Sequence, residues 1–385
     1  MLDPDSKPIP HPDSRELNIE ILRIVSMLLI VACHAVVFIP WLGSKDAYEP
    51  SWGLITRWVV VQYGQVGVTI FFLITGFFLS KRTFSKRRIF KVWFQTFCYS
   101  ALILIAVVLI KALKTAETRT PDSLTFWQPQ HLVPTILQGI FPFIEGSYWF
   151  VTAYIVLILL SPFLNSMAQH VAQSQFEKLI LLLFFFAIWA TFKIRYYTPW
   201  NSYVYAILIY LIGCWLQMYP NALHAKVQSW KLCVACVFCT IIMFPILHII
   251  YQHSTWLTLL FQNPGTIQSS LRILPIIIGT AVFILVRRID MRHAPEVLKK
   301  CILKISSATF GVYLLHQHPL TCRFVWAKAS ALFPSPDSAI LKALTFVVIV
   351  ILMYLTLTLL ASFLDTLIIH PATKIIIRHI KVDNK

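Results

Sequence analysis

Two ionisable side chains stand inside the first long apolar run. They are Arg23 and His34, with Glu20 three residues before the arginine and only apolar or small residues between the pair. A charged group within a bilayer costs roughly 2.5 kcal/mol or more by insertion scales, so such residues as a rule serve a pathway or a site. On a helix their separation is about 16 Å of rise and returns to within about 20° of the same face. Both then look along one cleft at different depths. A guanidinium at the mouth can hold phosphates, and a neutral imidazole at mid-depth can act as general base on a hydroxyl. The pantetheine arm of coenzyme A is long enough to join the two. The same residues admit a plainer account, with Arg23 a snorkelling anchor paired to Glu20 and His34 a satisfied intramembrane histidine. Cys33, the neighbouring nucleophile, points about 100° away from His34 round the helix.

Further runs carry groups of the same kind. Gly67-Val and Thr75-Gly76 permit close helix contact, and they precede a basic stretch containing Lys86, Arg87, Arg88 and Lys91. That stretch suits the phosphates of a cytosolic cofactor, and equally anionic lipid headgroups. In Phe310-Gly-Val-Tyr313-Leu-Leu-His316 the tyrosine and histidine are i,i+3 neighbours able to share a helix face. Cys233, Cys236 and Cys239 form C-x2-C-x2-C without the fourth cysteine and proline of a cluster-binding run, and read as small apolar residues of a helix. No metal site is expected.

These residues need a scaffold, and the composition says which. Of 385 residues 58% are apolar and 13% charged, where an average soluble domain carries about a quarter charged. The chain reads as an all-α integral membrane protein. Apolar runs able to cross a ~30 Å core occur at about 20–41, 57–80, 92–111, 148–166, 178–196, 202–219, 231–251, 268–286, 305–326 and 341–369. Segment 131–145 is short and broken by Pro134 and Pro142, and reads as re-entrant or interfacial. The first span is too long for a secretory signal, and Phe38-Ile39-Pro40-Trp41-Leu42 is no small-residue cleavage site.

The net charge of +17 would suggest a nucleic-acid partner in a soluble protein, but basic residues of membrane proteins collect in cytoplasmic loops, so no nucleic acid is expected. With ten spans and the N-terminus inside, 22 of the 33 Lys and Arg residues fall on the cytoplasmic side, including both clusters of six at 81–91 and 287–304. That bias favours both termini inside. Residues 1–16, rich in proline, are expected to be a disordered cytoplasmic tail, 17–370 a ten-helix membrane domain, and 371–385 a basic cytoplasmic tail. The eight cysteines lie mostly in apolar runs and do not form a disulfide framework.

Taken in order, Glu20, Arg23 and His34, then Gly67-Val with Phe71-Phe72 and Thr75-Gly76, then Tyr148-Trp149-Phe150, then Phe310 to His316, resemble the membrane-bound acyltransferase 3 family of bacterial integral-membrane O-acyltransferases of surface carbohydrates. The resemblance runs from about residue 17 to 369. It implies transfer of an acyl group, acetyl being the expected one, from cytosolic acyl-CoA as donor substrate to a hydroxyl of a cell-envelope or exported carbohydrate. No cofactor would be tightly bound. His34 would be the catalytic base and Arg23 would anchor the donor, with Lys86, Arg87, Arg88 and Lys91 assisting. Glu145, Arg272, Tyr313 and His316 are candidates on the acceptor side. The family often has Arg-x2-Arg after its second span, whereas here the pair is Arg88 and Lys91, which keeps the charge but gives up one bidentate fork. No esterase-like module with G-x-S-x-G is expected after the membrane core. The expected setting is the cell membrane, in contact with lipid and with glycan biosynthesis or export proteins. The rival reading is an exporter of polysaccharide or lipid-linked sugar, although no internal repeat of the transporter kind is visible.

Overall fold

The computed structural model describes residues 16–42, 52–118, 127–141, 148–189, 200–252 and 272–379. Among them every regular element is helical, as hydrocarbon demands of a chain that must satisfy its own backbone polar groups. In order these are α1 (Leu17–Phe38), α2 (Trp52–Leu79), α3 (Lys86–Thr118), α4 (Pro129–Ile140), α5 (Trp149–His170), α6 (Gln173–Trp189), α7 (Trp200–Met218), the short α8 (Leu223–Lys226), α9 (Ser229–Gln252), α10 (Ile273–Arg287), α11 (Glu296–His316), α12 (Cys322–Leu332), α13 (Ala339–Leu364) and α14 (His370–His379). Six stretches are long and apolar enough to cross a bilayer: Leu17–Phe38, Thr56–Leu79, Lys86–Lys114, Trp149–His170, Ser229–Ile249 and Ala339–Ile376. Tyr203–Met218 and Ile273–Arg287 are apolar but shorter. The chain is therefore a helical membrane protein.

Several expected boundaries move. The run 305–326 is not one span, because α11 stops at His316 and α12 starts afresh at Cys322. The residue before a proline avoids the α conformation, and His318 precedes Pro319. The expected span 178–196 falls partly outside the described residues. In 131–145 the described part is α4, whose 12 residues rise only about 18 Å, too little to cross. At the C-terminal end, α13 runs through a π turn at Asp365–Ile369 into α14, so the segment expected to begin a tail at 371 is helical to His379. Residues 1–15 of the expected N-terminal tail lie outside the described residues.

Helix α2 is the most enclosed of the long helices, packed against α1, α7 and α10, while α11 lies between α1 and α13. Close approach is bought with glycine at two levels: a Cβ on Gly64 would collide with Cys33 of α1, and one on Gly76 with the Tyr210 carbonyl of α7. The apolar faces of α3 and α9 point outward, where lipid covers them.

One end of the bundle collects the starts of α1 and α9 and the ends of α2, α5 and α10. Asn18 donates to the carbonyls of Val286 and Ile289, each at 3.2 Å, and Asn165 to that of Leu79 at 2.9 Å. Arg288 donates to Ser229 Oγ at 2.8 Å and to the carbonyls of His224 and Val227 at 2.9 and 2.8 Å. The loops carrying both basic clusters therefore share this end with the start of α1. In the second, the Arg292 guanidinium grips Asp290 at 2.7 Å and holds that exposed carboxyl well below the usual carboxylate range.

Candidate functional site

At the opposite end, α1 and α11 run side by side and bring two histidines together. His34 Nδ1 lies 3.0 Å from His316 Nε2, and His316 Nδ1 lies 2.6 Å from the carbonyl oxygen of Val312, one turn earlier on α11. A carbonyl only accepts, so His316 Nδ1 carries a proton. The Nε2 of neutral His316 is then an acceptor and takes the hydrogen bond from His34 Nδ1–H. That assignment, made from partners, leaves His34 Nε2 with a free lone pair. His316 is fully buried, with Trp326 of α12 edge-on to its ring at 6.3 Å. Trp326 holds that ring where it can receive His34. Since α1 ends at Phe38, His34 sits one turn from the end of its helix, beyond the mid-depth expected from the apolar run.

Beside this pair opens a narrow, partly open cleft lined by His34, Gln65, Trp149, Tyr313 and Gln317 among others. Three of its polar atoms are buried without a hydrogen-bond partner: Gln65 Oε1, Tyr313 Oη and Gln317 Nε2. An unsatisfied buried polar atom costs on the order of 1–3 kcal/mol. All three belong to residues that border this one cleft, which marks it as a place where a polar ligand can repay that cost. Cys33 also lines the cleft, contrary to the expectation that it turns away, because the cleft runs between α1 and α2 and reaches both sides of this part of α1. Its sulfur packs against Gly64.

Arg23 is near the other end of α1, with its Nη1 3.1 Å from the buried carboxylate of Glu20. The anchor pairing anticipated from the sequence is thus present. A second feature is not explained by that pairing. Tyr154, on α5, lies within electrostatic reach of both Arg23 and Arg88, so the two arginines belong to the same region of the bundle. Of the four basic candidates, Lys86, Arg87 and Lys91 are exposed, whereas Arg88 turns inward and its Nη1 is buried without a hydrogen-bond partner.

The remaining candidates divide. Tyr313 lines the His34 cleft, and His316 stands outside its lining, buried and paired with His34. Arg272 begins α10 at the same end, stacked 4.7 Å over the Tyr205 ring and outside the cleft lining; Tyr205 in turn hydrogen-bonds Thr69 on α2. Glu145 lies outside the described residues.

Gln65 and Gln317 were missed by sequence reasoning because neutral residues carry no charge penalty to flag them, and Trp149 stood out only as part of the Tyr148-Trp149-Phe150 run, with no role in the site assigned to it. His318 was missed as well. It accepts from the Leu320 N–H at Nδ1 (3.2 Å) and so donates from Nε2 to Ser100 Oγ (2.8 Å), which makes it a tie between α3 and the α11–α12 break and no base for that serine. Another buried tie joins Asp365, in the π turn, to Tyr99 and Gln95 at 3.0 and 3.2 Å. On α9 the three cysteines pass from exposed Cys233 to buried Cys239. Among the described residues no group of three His, Cys, Asp or Glu side chains is assembled to hold a metal.

A model of an acyltransferase domain matches residues 16–364. No curated protein and no solved structure matches the chain. The match covers α1 through α13 and includes both histidines, both of these arginines and the whole lining of the cleft, so the chain belongs to the acyltransferase 3 family.

Proposed function

We propose that the protein transfers an acyl group, acetyl in the first instance, from acyl-CoA to a hydroxyl of a cell-envelope or exported carbohydrate, working in the cell membrane with its basic end toward the cytoplasm. The observation that carries this reading is the His34–His316–Val312 hydrogen-bond chain, which assigns the acceptor lone pair of His34 to Nε2 in a residue that lines a cleft bordered by three residues with unpartnered polar atoms.

In this reading the donor's phosphates lie at the basic end, where Arg23 and Arg88 both lie within electrostatic reach of Tyr154. Arg88 Nη1 has no partner in the protein, which suits a phosphate oxygen. The thioester reaches up the bundle toward His34, a rise of about 16 Å from Arg23 along α1. The acceptor enters the cleft from the far end. Trp149 offers an apolar face and Gln65 a hydrogen-bonding amide, a pairing suited to a polyhydroxylated ring.

As the hydroxyl oxygen attacks the thioester carbon, its proton passes to His34 Nε2. The resulting imidazolium keeps its Nδ1–H on His316, which is itself fixed by the Val312 carbonyl. His316 thus orients the base and stays neutral, a role usually given to a carboxylate. Collapse of the intermediate breaks the C–S bond, and His34 returns the proton to the departing thiolate.

The test is purified protein in lipid with radiolabelled acetyl-CoA and a hydroxylated glycan acceptor. Label should appear on the acceptor in an alkali-labile ester, and His34→Ala should abolish it while still binding donor. Label passage into glycan that is indifferent to His34→Ala would overturn the reading.

A further inference from the structure

We infer that the Tyr313 phenol and the Gln317 side-chain amide are the two donors that hold the developing oxyanion of the thioester carbonyl; this rests on the reading of the cleft as an acyl-transfer site. Tyr313 is on the last turn of α11 and Gln317 is its C-cap, four residues on, so the two side chains lie one above the other. Both border the same cleft as His34. The phenol oxygen and the amide nitrogen are each buried without a partner. Tyr313 is only 4% exposed, its ring wedged edge-on against Phe150 at 5.5 Å and tilted against Tyr148 at 5.7 Å. Tyr148 is held in turn by a hydrogen bond to the Leu314 carbonyl. A ring so clamped keeps its hydroxyl at one place. The Phe150 backbone N–H faces the same oxygen from the first turn of α5 without closing a hydrogen bond, and N–H groups at a helix start have no intrahelical acceptor. That corner of the cleft is therefore rich in donors.

The opposite wall differs in sign. On α2, Gln65 presents an unpartnered oxygen, an acceptor that suits a sugar hydroxyl and would repel an oxyanion. With the base on α1, the acceptor wall on α2 and the donors on α11, the cleft has one orientation in which all groups are used. The hydroxyl oxygen bonds the thioester carbon while its proton goes to His34 Nε2, and the carbonyl π pair moves onto oxygen, where Tyr313 Oη–H and Gln317 Nε2–H receive it. When that pair returns, the C–S bond breaks and the thiolate takes the proton from His34. Donors fixed in advance at the position of developing charge act without reorganising, and loss of one such donor costs about 10²–10³-fold in turnover.

The experiment compares wild type, Tyr313→Phe and Gln317→Glu in lipid, the first variant keeping the ring and the second keeping the shape while replacing donor by acceptor. Two quantities are read: turnover at saturating substrates, and the isotope-edited infrared carbonyl stretch of bound acetyl-CoA carrying ¹³C at the carbonyl. Turnover should fall about 10²–10³-fold in each variant, well beyond any loss in donor affinity. The carbonyl stretch, lowered on binding to wild type, should move back toward its value in water. Wild-type turnover and wild-type frequency in either variant removes that residue from the assignment. If Tyr313→Phe fails to fold, Gln317→Glu and the wild-type frequency still decide, since an unshifted stretch in wild type means that no donor polarises the carbonyl. A wild-type protein that binds acetyl-CoA yet acylates no hydroxyl overturns the acyl-transfer reading itself, whereas active wild type with unaffected variants overturns the oxyanion assignment alone.

Discussion

His34 Nδ1 and His316 Nε2 stand 3.0 Å apart although 282 residues separate them in the chain. The carbonyl of Val312 sets the direction of the whole relay, since it forces the proton onto His316 Nδ1 and so the lone pair of His34 onto Nε2. Replacing His34 by Ala removes the base and should lower acyl transfer by about 10²–10⁴-fold with donor binding retained. Initial rates and equilibrium binding on the same preparation check both halves. Near-normal turnover would return His34 to a packing role.

His316 should be separable from His34. His316→Ala leaves the His34 Nδ1–H without an acceptor and should cost about 10–10²-fold, as expected for one buried hydrogen bond. His316→Gln supplies an amide oxygen in reach of that N–H and should recover most of the loss. Equal defects in the two variants, each with normal thermal stability, would mean that orienting the base is not what His316 contributes.

At the basic end, Arg23→Lys keeps the charge but gives up the fork, and should weaken acyl-CoA binding by roughly 1–3 kcal/mol. Arg88→Ala should weaken it also and make it less sensitive to salt, because one phosphate contact is gone. Titrations with a non-hydrolysable thioether of acetyl-CoA at two salt concentrations measure both. Wild-type affinity in Arg23→Lys would remove the guanidinium from the donor site.

Both basic loops lie at one end of the bundle with the start of α1. Cysteines placed as Phe84→Cys and Ala294→Cys should react with an impermeant thiol reagent only after the membrane is opened. Labelling of either in intact cells would turn the protein over in the bilayer and contradict the charge bias behind the assignment.

The contact of Gly64 with Cys33 offers a packing test beside the cleft. Gly64→Ala should destabilise by about 1–3 kcal/mol through overpacking. Cys33→Gly, which removes the Cβ that the new methyl would meet first, should offset part of that loss where Cys33→Ala does not, giving a non-additive pair in thermal melts. The same Cys33→Ala protein checks covalent chemistry, because a retained rate excludes the cysteine as the acyl carrier.

The sequence made some of this legible and hid the rest for physical reasons. Apolar runs mark most helices because a bilayer tolerates little else, and Arg23 and His34 stood out because they break that rule at a cost. The eleven-residue spacing placed them on one helix, but α1 ends sooner than its apolar run, which carried His34 toward the far end. The break after His316 was written in His318-Pro319, but hydropathy averages across a proline and hides it. Cys33 was misjudged because angle round one helix says nothing of which neighbours leave a gap. Gln65 and Gln317, on opposite walls of the cleft, had no signature at all: a neutral glutamine within an apolar run is unremarkable until the fold shows a polar atom of it left without a partner.

The His34–His316 contact also has a consequence in time. At about 5–20 residues per second, the ribosome needs roughly 15–60 s to synthesise the 282 residues between the base and its orienting partner. For that interval α1 exists without the ring that sets its histidine's tautomer, and without Tyr313 or Gln317. On the proposed mechanism the nascent protein can hold a donor at Arg23 and Arg88 but lacks the groups that orient the base and receive the oxyanion. Efficient transfer then waits until α11 docks beside α1.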